Sequence, residues 1–222
     1  MHCARGGLDT LLVTTSLDTV YTLLGDRVIL TPSPGTLMSE LYTQLRDDSG
    51  SINCWDFQRA AKYALEKQRG LHLLQSSVTA LRCQGRSVVG VATWEGVDRA
   101  ADQIALCVGS FLKARLTVGR LLESAGRLNE MAYDDLYLHM LARDFRFQSL
   151  ELSATAAAGG RPYRVTCQVL APEEHRSGRA LVRLDNLYAA GVCLTGYLPF
   201  EAAAEEGLGL ADELLALRGL SQ

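Results

Sequence analysis

Residues 71–109, LHLLQSSVTALRCQGRSVVGVATWEGVDRAADQIALCVG, contain several strand-like runs separated by turn residues. Two runs of β-type residues, at 78–83 and 88–94, lie on either side of Gln84-Gly85-Arg86. Glu95-Gly96 makes a second turn before the chain runs back. Because a turn signal between two such runs is typical of a hairpin, this segment is predicted to form an antiparallel β-meander.

Three apolar runs elsewhere end in small or polar residues. They are Leu11-Leu12-Val13 before Thr14-Thr15-Ser16, Ile104 to Val108 before Gly109-Ser110, and Leu187 to Ala190 before Gly191. Continuous apolar runs of this kind are typical of parallel strands that are buried on both faces. Leucine and alanine spacing between them predicts helices over 37–45, 55–65 and 131–145 and after Gly196. The predicted fold class is therefore α/β, a doubly wound parallel sheet with an added antiparallel meander.

Composition excludes several classes of protein. With 222 residues and a formal net charge of −3, the chain has no overall positive charge that would attract nucleic acid. Six cysteines and four histidines show no metal-ligand spacing, so no metal site is predicted and the thiols are expected to be reduced. Cys83 and Cys107 lie in apolar runs and are expected to be buried. Without a signal peptide or a bilayer-spanning apolar stretch, the protein is expected in the cytoplasm.

The ends of the apolar runs indicate a ligand. In open α/β sheets, dinucleotides bind in the crevice at the carboxyl ends of the strands. Glycine at such an end lets the backbone approach a pyrophosphate, and the start of the helix after Gly196 would favour a phosphate. The alternative is that these glycines only close strand-to-helix turns. Three such ends in one chain favour a nucleotide.

Several segments resemble the glucose-inhibited division protein A family of FAD-dependent tRNA uridine-modifying proteins. Residues 11–19 are similar to the family's second strand and ribose-facing turn, residues 88–91 and 105–112 to its meander and following strand, and residues 187–191, 196–197 and 201–207 to its closing FAD segment. The resemblance implies a small relative of the FAD-binding, Rossmann-like N-terminal domain of the tRNA uridine carboxymethylaminomethyl-modifying protein. FAD is the cofactor that it implies.

Site residues follow from the same resemblance, position by position. Thr15 and Ser16 would face the adenosine ribose, and Val78 would contact the adenine through its backbone. Val108, Gly109 and Ser110 would line the cofactor path, while Gly191, Val192, Gly196 and Tyr197 would lie near the pyrophosphate and the flavin. In the family, the residue after the closing glycine is polar, whereas Val192 offers only its backbone groups at that position.

The chain also departs from the family pattern. The family opens with a strand and a G-x-G-x-x-G turn, and neither precedes residue 10 here. Loss of a central strand would leave two neighbouring strand edges unpaired, so the true start is expected upstream of Met1. Residues 19–36 contain no cysteine to match the family's active-site loop, and the family's tRNA-binding C-terminal region has no counterpart. The tRNA chemistry is therefore not carried over.

The sequence predicts one domain organisation and leaves two possible functions open. Residues 1–145 and 184–222 are predicted to form a discontinuous FAD-binding domain, with 146–183 as a small β-rich insertion that includes an alanine–glycine loop at 156–160. One function is a flavin-dependent oxidoreductase of unknown substrate, with NADH or NADPH as a candidate reductant and a homo-oligomer as a candidate assembly. The other is a non-catalytic flavin-binding or partner-binding remnant.

Two further features of the sequence, the missing hydrolase motif and a group of arginines, do not indicate a specific function. No G-x-S-x-G elbow supports a Ser/His/Asp hydrolase. Four arginines, at 143, 146, 161 and 164, add positive charge near the predicted insertion. They are interpreted as surface charge unless the fold brings them together.

Overall fold

The protein is described by a computed structural model, which covers residues 1–155, 160–175 and 178–219. Six α-helices and fifteen strands lie in these ranges. The helices are α1 (His2–Arg5), α2 (Leu37–Leu45), α3 (Cys54–Lys67), α4 (Asp135–Leu141), α5 (Val192–Thr195) and α6 (Phe200–Leu217). The strands are β1 (Thr10–Thr14), β2 (Arg27–Val28), β3 (Ile52–Asn53), β4 (Leu71–Gln75), β5 (Val78–Gln84), β6 (Ser87–Thr93), β7 (Asp98–Ala100), β8 (Ile104–Leu106), β9 (Arg115–Val118), β10 (Leu121–Glu123), β11 (Ala125–Arg127), β12 (Glu130–Met131), β13 (Phe147–Thr155), β14 (Pro162–Leu170) and β15 (Leu187–Ala189).

The chain divides into two compact units. One comprises Met1–Gln75 and Pro199–Gln222, and the other comprises Ser76–Leu198. The predicted insertion at 146–183 contributes β13 and β14 to the second unit, and its status as a separate domain stays a prediction. The predicted loop at 156–160 lies, except for Gly160, outside the described residues. No helix in the described ranges is long and apolar enough to cross a membrane.

The first unit contains a parallel strand pair covered by helices. Strands β1 and β4 pair in register from Thr10 opposite Leu71 to Thr14 opposite Gln75. Helix α3 begins where the Asn53 side chain accepts hydrogen bonds from the amides of Trp55 and Asp56, which satisfies two N–H groups that a helix start leaves unpaired. The fully buried core of this unit is formed by apolar side chains from α2, β3 and α3: Met38, Ile52, Phe57 and Ala61.

The second unit contains the predicted meander. Strand β6 pairs antiparallel with β5 on one side and with β7 on the other. Gly90 has room for no side chain, because a Cβ there would lie 2.4 Å from the carbonyl oxygen of Arg99. The α/β class and the meander are thus confirmed, although the predicted strand from Ala100 to Val108 is divided into β7 and β8.

A four-stranded antiparallel sheet completes the second unit, in the order β10-β9-β14-β13. The inward side chains of β14, Tyr163, Val165, Cys167 and Val169, alternate with exposed neighbours along most of the strand and are all buried. This is the period of two that a sheet with one covered face produces. Nearby, the predicted helix over 131–145 was too long, because Met131 belongs to β12 and α4 begins only at Asp135.

Candidate functional site

Two parallel strands of the second unit end side by side. Ile104 lies opposite Leu187 and Leu106 lies opposite Ala189 in the β8–β15 pair. The amide of Ala190 then donates to the carbonyl of Leu106 at 3.0 Å. The segments that follow, 107–110 and 190–192, therefore leave the same edge of this pair, as expected for the ligand edge of an α/β sheet.

The glycines after β15 adopt backbone conformations that other residues avoid. Gly191 has φ 78° and ψ −158°, and Gly196 has φ 82° and ψ −150°. This region of backbone space is almost exclusive to glycine. Apart from the glycine itself and its two chain neighbours, no heavy atom of the described residues lies within 4 Å of the position that a Cβ would take at either glycine. The backbone is thus open to a close ligand at both positions, which fits the approach of a pyrophosphate.

Helix α5 is a single turn that connects these two glycines. The carbonyl of Gly191 accepts hydrogen bonds from the amides of Leu194 and Thr195 at 2.9 and 3.0 Å. The first N–H groups of a helix have no intrahelical acceptor, so Val192 can offer its backbone N–H although its side chain is apolar. The predicted helix start after Gly196 is found at Phe200, which belongs to the first unit.

Cys193 fixes the two strand ends together. Its thiol is fully buried and donates to the carbonyls of Ala190, at 3.3 Å, and Leu106, at 3.4 Å. Burial raises the pKa of this thiol to about 12, so it stays protonated and serves as a donor. Its position was not predicted from the sequence, because only the paired register brings Leu106 and Cys193 together.

Cys107 contradicts the sequence expectation. It was predicted to be buried in an apolar strand, yet β8 ends at Leu106 and Cys107 is exposed. Within β8, buried Ile104 and Leu106 alternate with exposed Ala105, so Cys107 falls on the same exposed side as Ala105. Cys83, also predicted to be buried, is only half-buried and packs against the core of the second unit.

The side chain of Ser110 makes a hydrogen bond within the protein. Its hydroxyl donates to the carbonyl of Gly126 at 2.8 Å, and Gly109 ahead of it has φ 54°. The amide of Phe111 closes a turn by donating to Val108 at 3.1 Å. This bond uses the single donor of the hydroxyl, so a ligand could contact the Ser110 hydroxyl only through its acceptor lone pairs while the bond is kept.

The structure places the remaining predicted site residues as follows. Val78 is the first residue of β5, opposite Thr93, and Tyr197 follows Gly196 with a side chain that is 70% exposed. Thr15 and Ser16 belong to the first unit, where the Thr14 hydroxyl donates to the carbonyl of Ser16 at 3.1 Å and shapes the turn after β1. Within the second unit, the segments 108–110 and 191–192 lie at one edge. The roles of all ten residues stay predictions.

Comparisons with known proteins identify the family and the fold. The family model described as glucose inhibited division protein A matches residues 47–177. The crystal structure of the GidA-related protein from Thermus thermophilus is 37% identical, with a TM-score of 0.85 over 97% of this chain and 91% of that one. Aquifex aeolicus GidA is 12% identical and shares the fold, with a TM-score of 0.85 over 99% of this chain and 64% of that one.

Among curated proteins, the chain is similar to tRNA uridine 5-carboxymethylaminomethyl modification enzymes named MnmG. The protein from Syntrophobacter fumaroxidans is 30% identical over 105 residues, which cover 47% of this chain and 16% of that protein. The one from Endomicrobium trichonymphae is 23% identical over 157 residues, or 60% of this chain and 26% of that protein. The chain thus spans about a quarter or less of these two relatives.

The family match, the full-length likeness to the Thermus protein and the paired strand ends lead to one assignment. The fold is the Rossmann-like α/β fold of FAD-binding domains, and FAD is the cofactor of the matching family. The chain belongs to the glucose-inhibited division protein A family.

Proposed function

We propose that this protein binds FAD at the carboxyl edge of the β8–β15 pair. The observation that carries the proposal is the side-by-side ending of these strands, followed by Gly109 on one and by Gly191 on the other. The open backbone at Gly191 and Gly196 would accept the pyrophosphate, with the N–H of Val192 as a donor. Bound FAD would supply two-electron redox chemistry.

The proposed activity is that of a flavin-dependent oxidoreductase, with NADH or NADPH as the reductant. Its substrate is not assigned. Cys107 lies directly after β8 and is exposed at this edge. A cytoplasmic location belongs to this proposal, supported by all six cysteines being thiols rather than disulfides.

The second candidate function is a flavin-binding protein without catalysis. The side chains of Ser110 and Cys193 at this edge favour it. Both donate hydrogen bonds to backbone carbonyls and so hold the backbone in place. We do not extend the tRNA reaction of the MnmG relatives to this chain, since it covers only 16% and 26% of their lengths.

An FAD titration followed by a reduction assay tests the proposal. The protein is titrated with FAD, and flavin fluorescence and thermal unfolding are measured. It is then mixed with NADH or NADPH in the absence of oxygen. Saturable binding with loss of the oxidised flavin spectrum supports an oxidoreductase, whereas binding without reduction favours the non-catalytic function.

A further inference from the structure

The second unit contains a cleft that is lined mainly by arginines. Arg86, Arg143, Arg146 and Arg183 surround a cleft of about 580 Å³, together with Glu173, Val182 and Leu184. The cleft is open to solvent, so a ligand there would be held by polar contacts with the lining rather than by burial. In a chain whose formal net charge is −3, four guanidinium groups and one carboxylate in a single cleft make a local region of positive charge.

Three loops bring these side chains together. Arg86 belongs to the turn between β5 and β6, and its Nη2 donates to the carbonyl of Val182 at 2.9 Å. Its own carbonyl accepts from the amide of Asp185 at 2.8 Å, so the turn is fastened to the loop ahead of β15. Arg143 and Arg146 follow α4, where Asp144, with φ 64°, reverses the chain. The cleft is therefore built from fixed backbone contacts.

The positive charge of Arg183 is compensated by a buried carboxylate. The carboxylate of Glu174 is completely buried and accepts from the Nε of Arg183 at 2.7 and 2.8 Å and from the amide of Arg146 at 2.9 Å. This pair fixes the loop and contributes little net charge to the cleft. The other three arginines determine what the cleft attracts.

Those three arginines are poorly compensated. The ion pairs of Arg86 with Asp185 and of Arg146 with Glu173 are both 3.8 Å long, and the arginine side chains are 66% and 71% exposed. Exposed pairs of this kind contribute little. The Nε of Arg143 donates to Nε2 of His139 at 3.0 Å, so this imidazole nitrogen is unprotonated and brings no negative charge.

The environment of His139 keeps it neutral. Burial and the charges of Arg143 and Arg82 lower the pKa of this histidine, while a backbone hydrogen bond with Leu81 opposes the shift. At neutral pH the imidazole therefore acts as an uncharged acceptor, and the positive charge of Arg143 is retained for a ligand.

We infer that this cleft binds the phosphate group of a small molecule, as a phosphate monoester or a pyrophosphate. Planar guanidinium groups match phosphate oxygens with paired hydrogen bonds, and several of them around one cleft favour a dianion. An extended nucleic-acid backbone fits less well, because Glu173 and Asp185 beside the arginines would repel successive phosphates. A compact dianion needs only the cleft itself, where four guanidinium groups face one lining carboxylate, that of Glu173.

This site goes beyond the proposed FAD function. The cleft adjoins Leu184 and Asp185 at the amino end of β15, whereas Gly191 follows the carboxyl end of the same strand. A ligand in the cleft thus stands at the opposite end of β15 from the edge assigned to FAD.

Isothermal titration of the full chain with sodium pyrophosphate at low salt tests the inference. The variant Arg143→Gln/Arg146→Gln removes two cleft charges, and Arg99→Gln/Arg120→Gln removes two exposed charges elsewhere in the same unit. Saturable binding is expected for the original chain, with a loss of about tenfold or more in the cleft variant, because each charge-assisted hydrogen bond contributes strongly. The control variant should bind as the original chain does.

Two further arms identify the source of the phosphate. Binding should persist when FAD is saturating, and a single-stranded RNA with hydroxyl ends should not displace pyrophosphate. The inference is overturned by an absence of saturable binding, by equal losses in both double variants, by loss of pyrophosphate binding when FAD is saturating, or by displacement with RNA. The calorimetric result does not depend on whether FAD binds, so it is separable from the test of the proposed function.

Discussion

The Nε of Arg183 lies 2.7 Å from one carboxylate oxygen of Glu174 and 2.8 Å from the other, and Glu174 has no exposed surface. The guanidinium also lies 5.8 Å from the centre of the Phe145 ring. A buried carboxylate is costly unless it is paired and hydrogen-bonded, and here the amide of Arg146 supplies a further donor. This arrangement fixes the loop between β14 and β15 to the start of β13.

Removing the charge of Glu174 should destabilise the protein. We expect Glu174→Gln to lower the free energy of unfolding by roughly 2–4 kcal/mol, because Arg183 then keeps its charge without a carboxylate partner. Chemical denaturation measures the change. The neighbouring variant Glu173→Gln is the matched control, since its carboxylate is 54% exposed and 3.8 Å from Arg146, and it should cost less than about 0.5 kcal/mol. Equal losses in the two variants would contradict the buried pair.

The six thiols should differ widely in reactivity. Cys107 is exposed, whereas burial raises the pKa of Cys193 to about 12 and that of Cys167 to about 11. Because the thiolate is the nucleophile, Cys107 should be alkylated well before the two buried thiols in the folded protein. Mass spectrometry of iodoacetamide-treated protein identifies the modified residues, and denaturant should remove the difference. Early labelling of Cys193 in the native protein would refute its assigned position between the strand ends.

Stability in acid should depend on Asp134. The Arg115 guanidinium lies 2.5 and 3.1 Å from its carboxylate oxygens and lowers the Asp134 pKa below its usual 3.8. A carboxyl whose pKa is lower in the folded chain adds stability above the unfolded value, and this stability is lost as the pH falls through the folded value. The Asp134→Asn variant should therefore be less stable at neutral pH, by about 1 kcal/mol or less given the part-exposed pair.

The pH dependence itself is the control for this prediction. Unfolding curves of the original chain and of Asp134→Asn should converge as the pH drops below 3.8. A difference that stays constant between neutral and acidic pH would mean that the carboxylate charge is not what stabilises this contact.

The meander could be predicted because its signals are local. Alternating residues at 78–83 and 88–94, with a glycine turn between them, specify a hairpin without distant information. The helix predicted over 131–145 failed at its start, since Met131 pairs with Ala125 in β11 and the pairing outweighs helical spacing. Local periodicity carries no information on such partners.

The parts of the site that the sequence missed depend on contacts between distant segments. Glu174 is an ordinary acidic residue in the sequence, and its burial follows only from the positions of Arg183 and the Arg146 amide. Two of the four arginines treated as surface charge, at 143 and 146, line the cleft, while Arg164 pairs with Glu151 at 3.7 Å. The positive φ of Gly109, Gly191 and Gly196 fits the local signal of a glycine that ends an apolar run or a turn, whereas their role toward a ligand stays a prediction.

The most direct measurement is the FAD dissociation constant of the chain beside that of Gly191→Ala and Gly85→Ala. Both glycines have positive φ and, apart from their chain neighbours, nothing within 4 Å of a Cβ, so each variant should lose stability, roughly 1–3 kcal/mol. Only Gly191 adjoins the proposed FAD edge. The account predicts saturable FAD binding that weakens by about tenfold or more in Gly191→Ala alone. FAD binding that is absent, or that falls equally in both variants, would contradict it.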